Sequence, residues 1–249
     1  KCKGDPEHPE DWEEPVLCVK KDGSILNEKG ITLDMTCFSV EGRYYVMWSD
    51  RILDQEHYEV NSFGTNGDAT LCIGEIDPKE PWKLISDPVC ICRPKYGWDR
   101  IENEINEGPY LLEHGEDLFV TFSGSSVGVL YCVGLLQAKK GSNLLDPSSW
   151  KEFPYPVLTK ESVPKQFGPG HNCFIKDPDG REEDLIVLHA KEFDFDDPED
   201  EDIMIAKNPR NSIIRRVHWN RLGYPVLDMQ EHQDIPELLR EIHGIVTFF

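Results

Sequence analysis

Glu104 to Ser126 reads EINEGPYLLEHGEDLFVTFSGSS. A strand-length run, a turn at Gly115 and a second, apolar run predict a β-hairpin. An acidic residue, Glu107, stands directly before Gly108-Pro109 and the apolar Tyr110-Leu111-Leu112. A carboxylate at the mouth of a buried strand is unfavourable unless it is paired, solvated or used in chemistry. On this stretch alone, a strand-end ion pair or a solvated loop is the simpler explanation.

Working outward, the same order of features occurs three times. Leu33–Trp48 holds a strand, a Gly turn and an apolar strand, followed by Ala69–Glu75 and Trp82–Leu84. Asn106–Phe122 is followed by Val129–Leu135 and Trp150–Glu152. Gly170–Gly180 is followed by Asp184–His189, Ser212–Trp219 and Tyr224–Leu227. Four strands per unit, repeated radially, predict an all-β chain folded as a β-propeller. The units span about 30–85, 104–153 and 167–228 of one domain covering 1–249, with 229–249 as a C-terminal extension. Ile235–His243 is the one stretch with helical character. Each unit opens with a polar residue on its innermost strand: Asp34, Glu107 and His171, spaced by 73 and 64 residues. Innermost strands line a propeller axis, so two carboxylates and an imidazole would converge at one mouth. That is equipment for general acid–base work, and paired carboxylates serve glycoside hydrolysis.

The totals narrow the class. Of 249 residues, 47 are acidic and 26 basic, a net charge of -21. This argues against nucleic acid and anionic membrane surfaces as partners. At 39% hydrophobic the chain can bury a core, and no apolar run approaches a membrane span. The reading is a soluble protein. Eight cysteines, several inside strand-like runs such as Thr70-Leu71-Cys72-Ile73, read as free buried thiols and tilt the compartment toward the cytoplasm over secretion. Cys90-Ile91-Cys92 lacks the partner pairs of a zinc site.

Gly30–Thr36, Asn106-Glu107-Gly108-Pro109, Leu130–Leu136, Phe167–Asn172 and Arg210–Trp219 together resemble glycoside hydrolase family 43, over about Trp12 to Asp228. The resemblance implies a five-bladed propeller and an inverting, exo-acting glycosidase of polysaccharide degradation. Such an enzyme releases terminal α-L-arabinofuranosyl units, or β-D-xylosyl or galactosyl units. It implies Glu107 as general acid, and Asp34 as the carboxylate that raises and orients that acid. His171 becomes a substrate-binding residue near the axis that can also meet a metal, directly or through water. Arg210 becomes an arginine of the sugar pocket. No cofactor is required; a structural Ca2+ or other cation at the axis is compatible. The partner is a carbohydrate, and the oligomeric state is left open.

The sequence also departs from that pattern. The family's general base is an aspartate of the first blade, but about thirty residues precede the Asp34 unit. Asp5-Pro6 is followed by charged residues where an apolar strand belongs. The first blade therefore reads as incomplete, the N-terminus as missing, and the base as unidentified. Arg215 stands where many relatives have Gln. A catalytically dead carbohydrate-binding propeller, a fragment lacking the base, and a protein-binding propeller stay open as alternatives. Bland readings accompany the rest. His189 and His218 read as structural, Arg210 after Asn208-Pro209 also fits a surface arginine, and Trp82, Trp150 and Trp219 fit blade packing. The acidic run Asp194–Asp202 reads as a solvated loop, and the loop Asp50–Asp68, with Tyr58 and Phe63, as an overhang on the pocket.

Overall fold

The structure is a computed structural model that describes residues 2–52, 69–180, 183–192, 210–229 and 233. The expectations for Tyr58, Phe63, Asn208-Pro209, the acidic run 194–202, the helix at 235–243 and most of the extension 229–249 lie outside the described residues.

Strands β1 (Gly30–Val40), β2 (Arg43–Ile52), β3 (Ala69–Ile76) and β4 (Val89–Cys92) form one antiparallel sheet in chain order. Strands β5 (Asn106–His114), β6 (Asp117–Gly124), β7 (Cys132–Lys139) and β8 (Lys151–Glu152) form a second sheet of the same topology. A third sheet has β9 (Phe167–Lys176), β10 (Asp184–Lys191) and β11 (Arg210–Arg216). A short ladder pairs β12 (His218–Trp219) with β13 (Pro225–Val226). This is an all-β, blade-like architecture of up-and-down sheets.

The turns follow local chemistry. Val40 and Arg43 are partners across Glu41 and Gly42, whose φ angles of 51° and 80° are both left-handed. A two-residue hairpin of this hand matches the strand twist. His114 and Asp117 likewise close over Gly115, at φ 56°.

The second sheet is buried on both faces. Leu118, Val120, Phe122, Leu136 and Ala138 pack against Val40, Tyr45, Met47, Leu71 and Ile73 of the first sheet. On the other face Phe119, Val133 and Leu135 meet Phe174, Ile186 and Leu188 of the third. Burial on both faces is why Leu118–Phe122 reads as a continuous apolar run rather than an alternating one. The outer face of the first sheet carries Val46, Trp48 and Cys72, covered by Leu26 and Cys18 from the preceding segment.

Three expectations are corrected. The fourth strand of the first sheet is β4, not Trp82–Leu84. Leu84 does bridge to Ile76 of β3, but its N–H donates to Val19 O (3.0 Å) of the preceding coil, and β4 forms the longer ladder on that edge. Ser212–Trp219 is not one strand: Val217 N–H turns to Asp184 O (2.8 Å), and His218-Trp219 leave to pair with Pro225-Val226. The segment from Asp50 is not all loop, because Asp50, Arg51 and Ile52 belong to β2. Ahead of β1, the described residues 2–29 form a 3-10 turn at Pro9–Asp11 and isolated bridges, with no named strand.

Phe122 is fully buried between the first two sheets, with its ring 5.9 Å from that of Trp98. Phe122→Ala is expected to lower stability by about 3–5 kcal/mol. Urea unfolding would show a lower midpoint at an unchanged slope.

Candidate functional site

The innermost strands β1, β5 and β9 share one irregularity. Between Leu33 and Thr36, β1 spends three residue steps while β2 spends two. The same mismatch falls between Glu107 and Tyr110 on β5, and between Gly170 and Cys173 on β9. Each is a bulge with one extra residue, which bends the strand and re-aims side chains. In each, the first bulged residue is left-handed: Asp34 (φ 55°), Gly108 (φ 59°) and His171 (φ 46°). Asp and His enter this region more readily than most non-glycine residues.

This register corrects the sequence alignment by one residue. Gly108, not Glu107, is the equivalent of Asp34 and His171; Glu107 is equivalent to Leu33 and Gly170. The three bulges nevertheless meet. Gly108 N–H donates to Asp34 Oδ2 (3.2 Å), and Thr36 Oγ1 donates to Pro109 O (2.9 Å). Asp34 Oδ1 lies 3.8 Å from His171 Nε2. A Cβ on Gly108 would stand 3.3 Å from His171 Nδ1, so glycine serves here for both its φ and its closeness to the ring.

Glu107 pairs with Ser123 across β5 and β6. Its Oε1 accepts the Tyr131 hydroxyl at 2.6 Å. Burial pushes the Glu107 carboxyl above its ordinary value, and the Asp34 charge pushes the same way. The Tyr131 hydrogen bond and the charges of His171 and Arg51 oppose that rise. Tyr131 is buried, and its ring stacks on His189 with centroids 5.8 Å apart and planes 5° apart. Burial, and then the charges of Arg210, His171 and Lys191, lower His189 to about 4. His189 is thus a neutral imidazole beneath the site, one ring away from Glu107.

Asp34, Glu107 and His171 therefore come together, while Arg210 stands further out. It opens β11 opposite Lys191 and is exposed; its charge is felt at His189. Among the described residues it shares no hydrogen bond or ion pair with the other three. Arg215 donates to Ser162 O (2.6 Å). Asp5 sits in an exposed turn, its Oδ1 accepting Glu7 N–H (2.9 Å), and no carboxylate is assigned as a general base. Among the described residues no three His, Cys, Asp or Glu side chains gather to hold a metal. A groove of about 520 Å³ lies further along the same strands, lined by Phe38, Tyr110 and Phe174, and Glu107 is not in its wall.

Tyr131, Ser123 and Arg51 escaped the sequence reading. Arg51 could have been found from alternation: it shares the Ser49 face of β2, whose hydroxyl donates to Asn106 O (3.0 Å) beside Glu107. Tyr131 lies within the quoted Leu130–Leu136 motif, but its reach to Glu107 depends on the chain returning through β6.

Glu107 holds its proton more tightly folded than unfolded. Its contribution to stability is therefore fully present below its ordinary value, near 4.5, and is lost as pH rises through the raised folded value. Glu107→Gln keeps an acceptor for Tyr131 and removes the charge. Calorimetry is expected to show a higher Tm than wild type at pH 8 and no gain near pH 4.

The model of the family described as glycosyl hydrolases family 43 matches residues 5–225. An extracellular exo-alpha-(1->5)-L-arabinofuranosidase of Streptomyces chartreusis is 35% identical over 162 residues, covering 65% of this chain and 45% of the relative. Alpha-L-arabinofuranosidase 43 of Humicola insolens is 30% identical over 208 residues, covering 80% of this chain and 40% of the relative. Among solved structures, an alpha-L-arabinofuranosidase from Lactobacillus brevis superposes with a TM-score of 0.72 at 29% identity, covering 90% of this chain and 63% of that one. A thermostable family-43 glycoside hydrolase, at 22% identity and a TM-score of 0.61 over 85% of this chain and 62% of that one, shares the fold. The chain spans less than half the length of the curated relatives it matches. Among the described residues no helix is long and apolar enough to cross a membrane, and all eight cysteines are free thiols.

Proposed function

Since the chain belongs to glycosyl hydrolases family 43, whose fold is a five-bladed propeller, we propose that it carries the acid half of an exo-acting, inverting α-L-arabinofuranosidase site. One observation supports this above the others: Glu107 is half-buried near a second carboxylate, Asp34, and burial and that charge both raise its hold on the proton. A general acid has to hold its proton near the working pH. Protonated Glu107 donates to the glycosidic oxygen as the bond to the anomeric carbon breaks. In an inverting site a separate carboxylate, about 6.5–9.5 Å away, activates water on the opposite ring face. Arabinofuranose is favoured over xylose or galactose because the relatives from Streptomyces, Humicola and Lactobacillus are described as arabinofuranosidases. In this reading His171 and Arg210 meet sugar hydroxyls, the first at the bulge and the second from the β11 side.

A second reading, a propeller that binds carbohydrate without turnover, is favoured by a different observation. The segment before β1 has no named strand among its described residues, and Asp5 is engaged in a turn. Nothing beyond the free thiols supports a reducing compartment, and the Streptomyces relative is described as extracellular.

Two substrates of different leaving ability test the acid. Glu107→Gln is expected to slow hydrolysis of arabino-oligosaccharides by about 10²–10⁴-fold. It is expected to slow 4-nitrophenyl α-L-arabinofuranoside much less, because nitrophenolate leaves without a proton. Equal losses on both substrates would argue against an acid role. Asp34→Asn removes the charge that raises Glu107, so the alkaline limb of the kcat/KM profile is expected to move to lower pH. Sugar binding by calorimetry with no turnover of either substrate would favour the second reading.

A further inference from the structure

We propose that Cys72 and Cys90 are a latent disulfide, which glutathione disulfide closes across β3 and β4 to staple the edge of the first sheet. Neither thiol takes part in the acid chemistry assigned to Glu107.

The register brings the pair together. Cys72 of β3 and Cys90 of β4 are direct antiparallel partners. Directly opposed residues hold their side chains on one face, with Cα atoms about 4.5–5.5 Å apart. A disulfide spans Cα separations of about 4.4–6.8 Å, so the bond can form without displacing either strand. The bulge is what creates the match. Leu71 pairs with Cys92, and a regular ladder continuing from there would set Ile91 opposite Cys72; the irregularity after Leu71 sets Cys90 there instead. Packing agrees on the face. Cys72 and Cys90 both belong to the outer cluster with Val46 and Trp48, whereas Leu71, Ile73, Ile91 and Cys92 belong to the inner one.

The other strand cysteines are placed differently. Cys37 faces Val46, Cys92 faces Leu71, Cys132 faces Gly124 and Cys173 faces Val187. Cys92 Sγ accepts from Asn106 Nδ2 (3.3 Å), and Cys18 Sγ lies 3.6 Å from the Met35 sulfur. A buried cysteine by itself packs as a small hydrophobe. Two in register are a pair that one oxidation can join. Cys72 is buried, while Cys90 is half-buried on the edge strand, where a reagent arrives first. The neighbouring Cys72, and then the Arg93 charge, hold the Cys90 thiol below its ordinary value against the opposing effect of burial. A lowered thiol supplies more of the attacking thiolate.

The exchange therefore begins at Cys90. Its thiolate attacks one sulfur of glutathione disulfide, forming a mixed disulfide and releasing glutathione. The Cys72 sulfur gives up its proton, attacks the Cys90 sulfur and expels the second glutathione. Two protein thiols are oxidised to one disulfide, and one glutathione disulfide is reduced to two thiols that take up the two protons. The bond closes a loop whose ends lie 18 positions apart and fixes the four residues of β4 to β3.

The test incubates the whole chain in glutathione buffers of rising oxidised fraction and traps the remaining thiols with a maleimide. Two of the eight thiols are expected to vanish together. Peptide mapping with fragment sequencing is expected to join Cys72 to Cys90. The oxidised chain is expected to melt about 5–10 °C higher, and dithiothreitol to reverse the gain. Cys90→Ser is expected to keep all its remaining thiols and to show no rise. Retention of all eight wild-type thiols overturns the proposal. So does a link through Cys18 or Cys92, or a glutathione adduct on Cys90 that Cys72 does not resolve. A Cys72–Cys90 link that leaves Tm unchanged overturns the staple. Should Cys90→Ser not fold, the wild-type peptide map decides.

Discussion

The site depends on a bulge that the three inner strands share. A regular strand would carry Asp34, Glu107 and His171 with the pleat, and their side chains would alternate between faces. The bulge breaks that alternation at the same step of β1, β5 and β9. Its left-handed residue is glycine only in β5. At Asp34 and His171 a side chain occupies that backbone region, which costs roughly 1–2 kcal/mol each. The surroundings offset the strain: Asp34 receives the Gly108 N–H, and His171 gives its N–H to Ser123. Strain held in place by contacts of this kind is characteristic of functional sites.

Electrostatics at Glu107 is a contest rather than a single push. Burial and Asp34 raise the hold of Glu107 on its proton, while Tyr131, His171 and Arg51 favour its loss. The proposed acid role, in which a proton is given up and recovered in every cycle, would draw on both sides. The chain's net charge of -21 says little about this balance. Within the site burial and the Tyr131 phenol set it first, then one carboxylate, one imidazole and one guanidinium.

Much of this was legible in the sequence, for identifiable reasons. The hairpins around Gly42 and Gly115 announce themselves through turn chemistry, and Leu118–Phe122 announces its two-sided burial. Asp34, Glu107 and His171 could be brought together because each stands at the head of an inner strand. The one-residue offset at Glu107 could not be read. A bulge inserts a residue without changing composition, and only the partner strand reveals it. Trp82–Leu84 was read as an edge strand by analogy with Trp150–Glu152, and of it only the bridge from Leu84 to Ile76 is formed on β3. The two stretches look alike locally, but Leu84 bonds to a coil segment far earlier in the chain. Tyr131 was invisible as a functional group for a related reason: its hydroxyl finds Glu107 across the width of a sheet.

The bulges and the contacts that join them have a consequence for how the protein comes into being. No single hairpin contains the site. Asp34 bonds to Gly108 across 74 residues, and His171 bonds to Ser123 across 48. Closing such distant contacts is slow compared with forming hairpins. A refolding chain therefore regains its β-structure before the three sheets dock. Until they dock, Glu107 is an ordinary solvated glutamate. Its unusual acidity belongs to the docked assembly and emerges as a last event of folding.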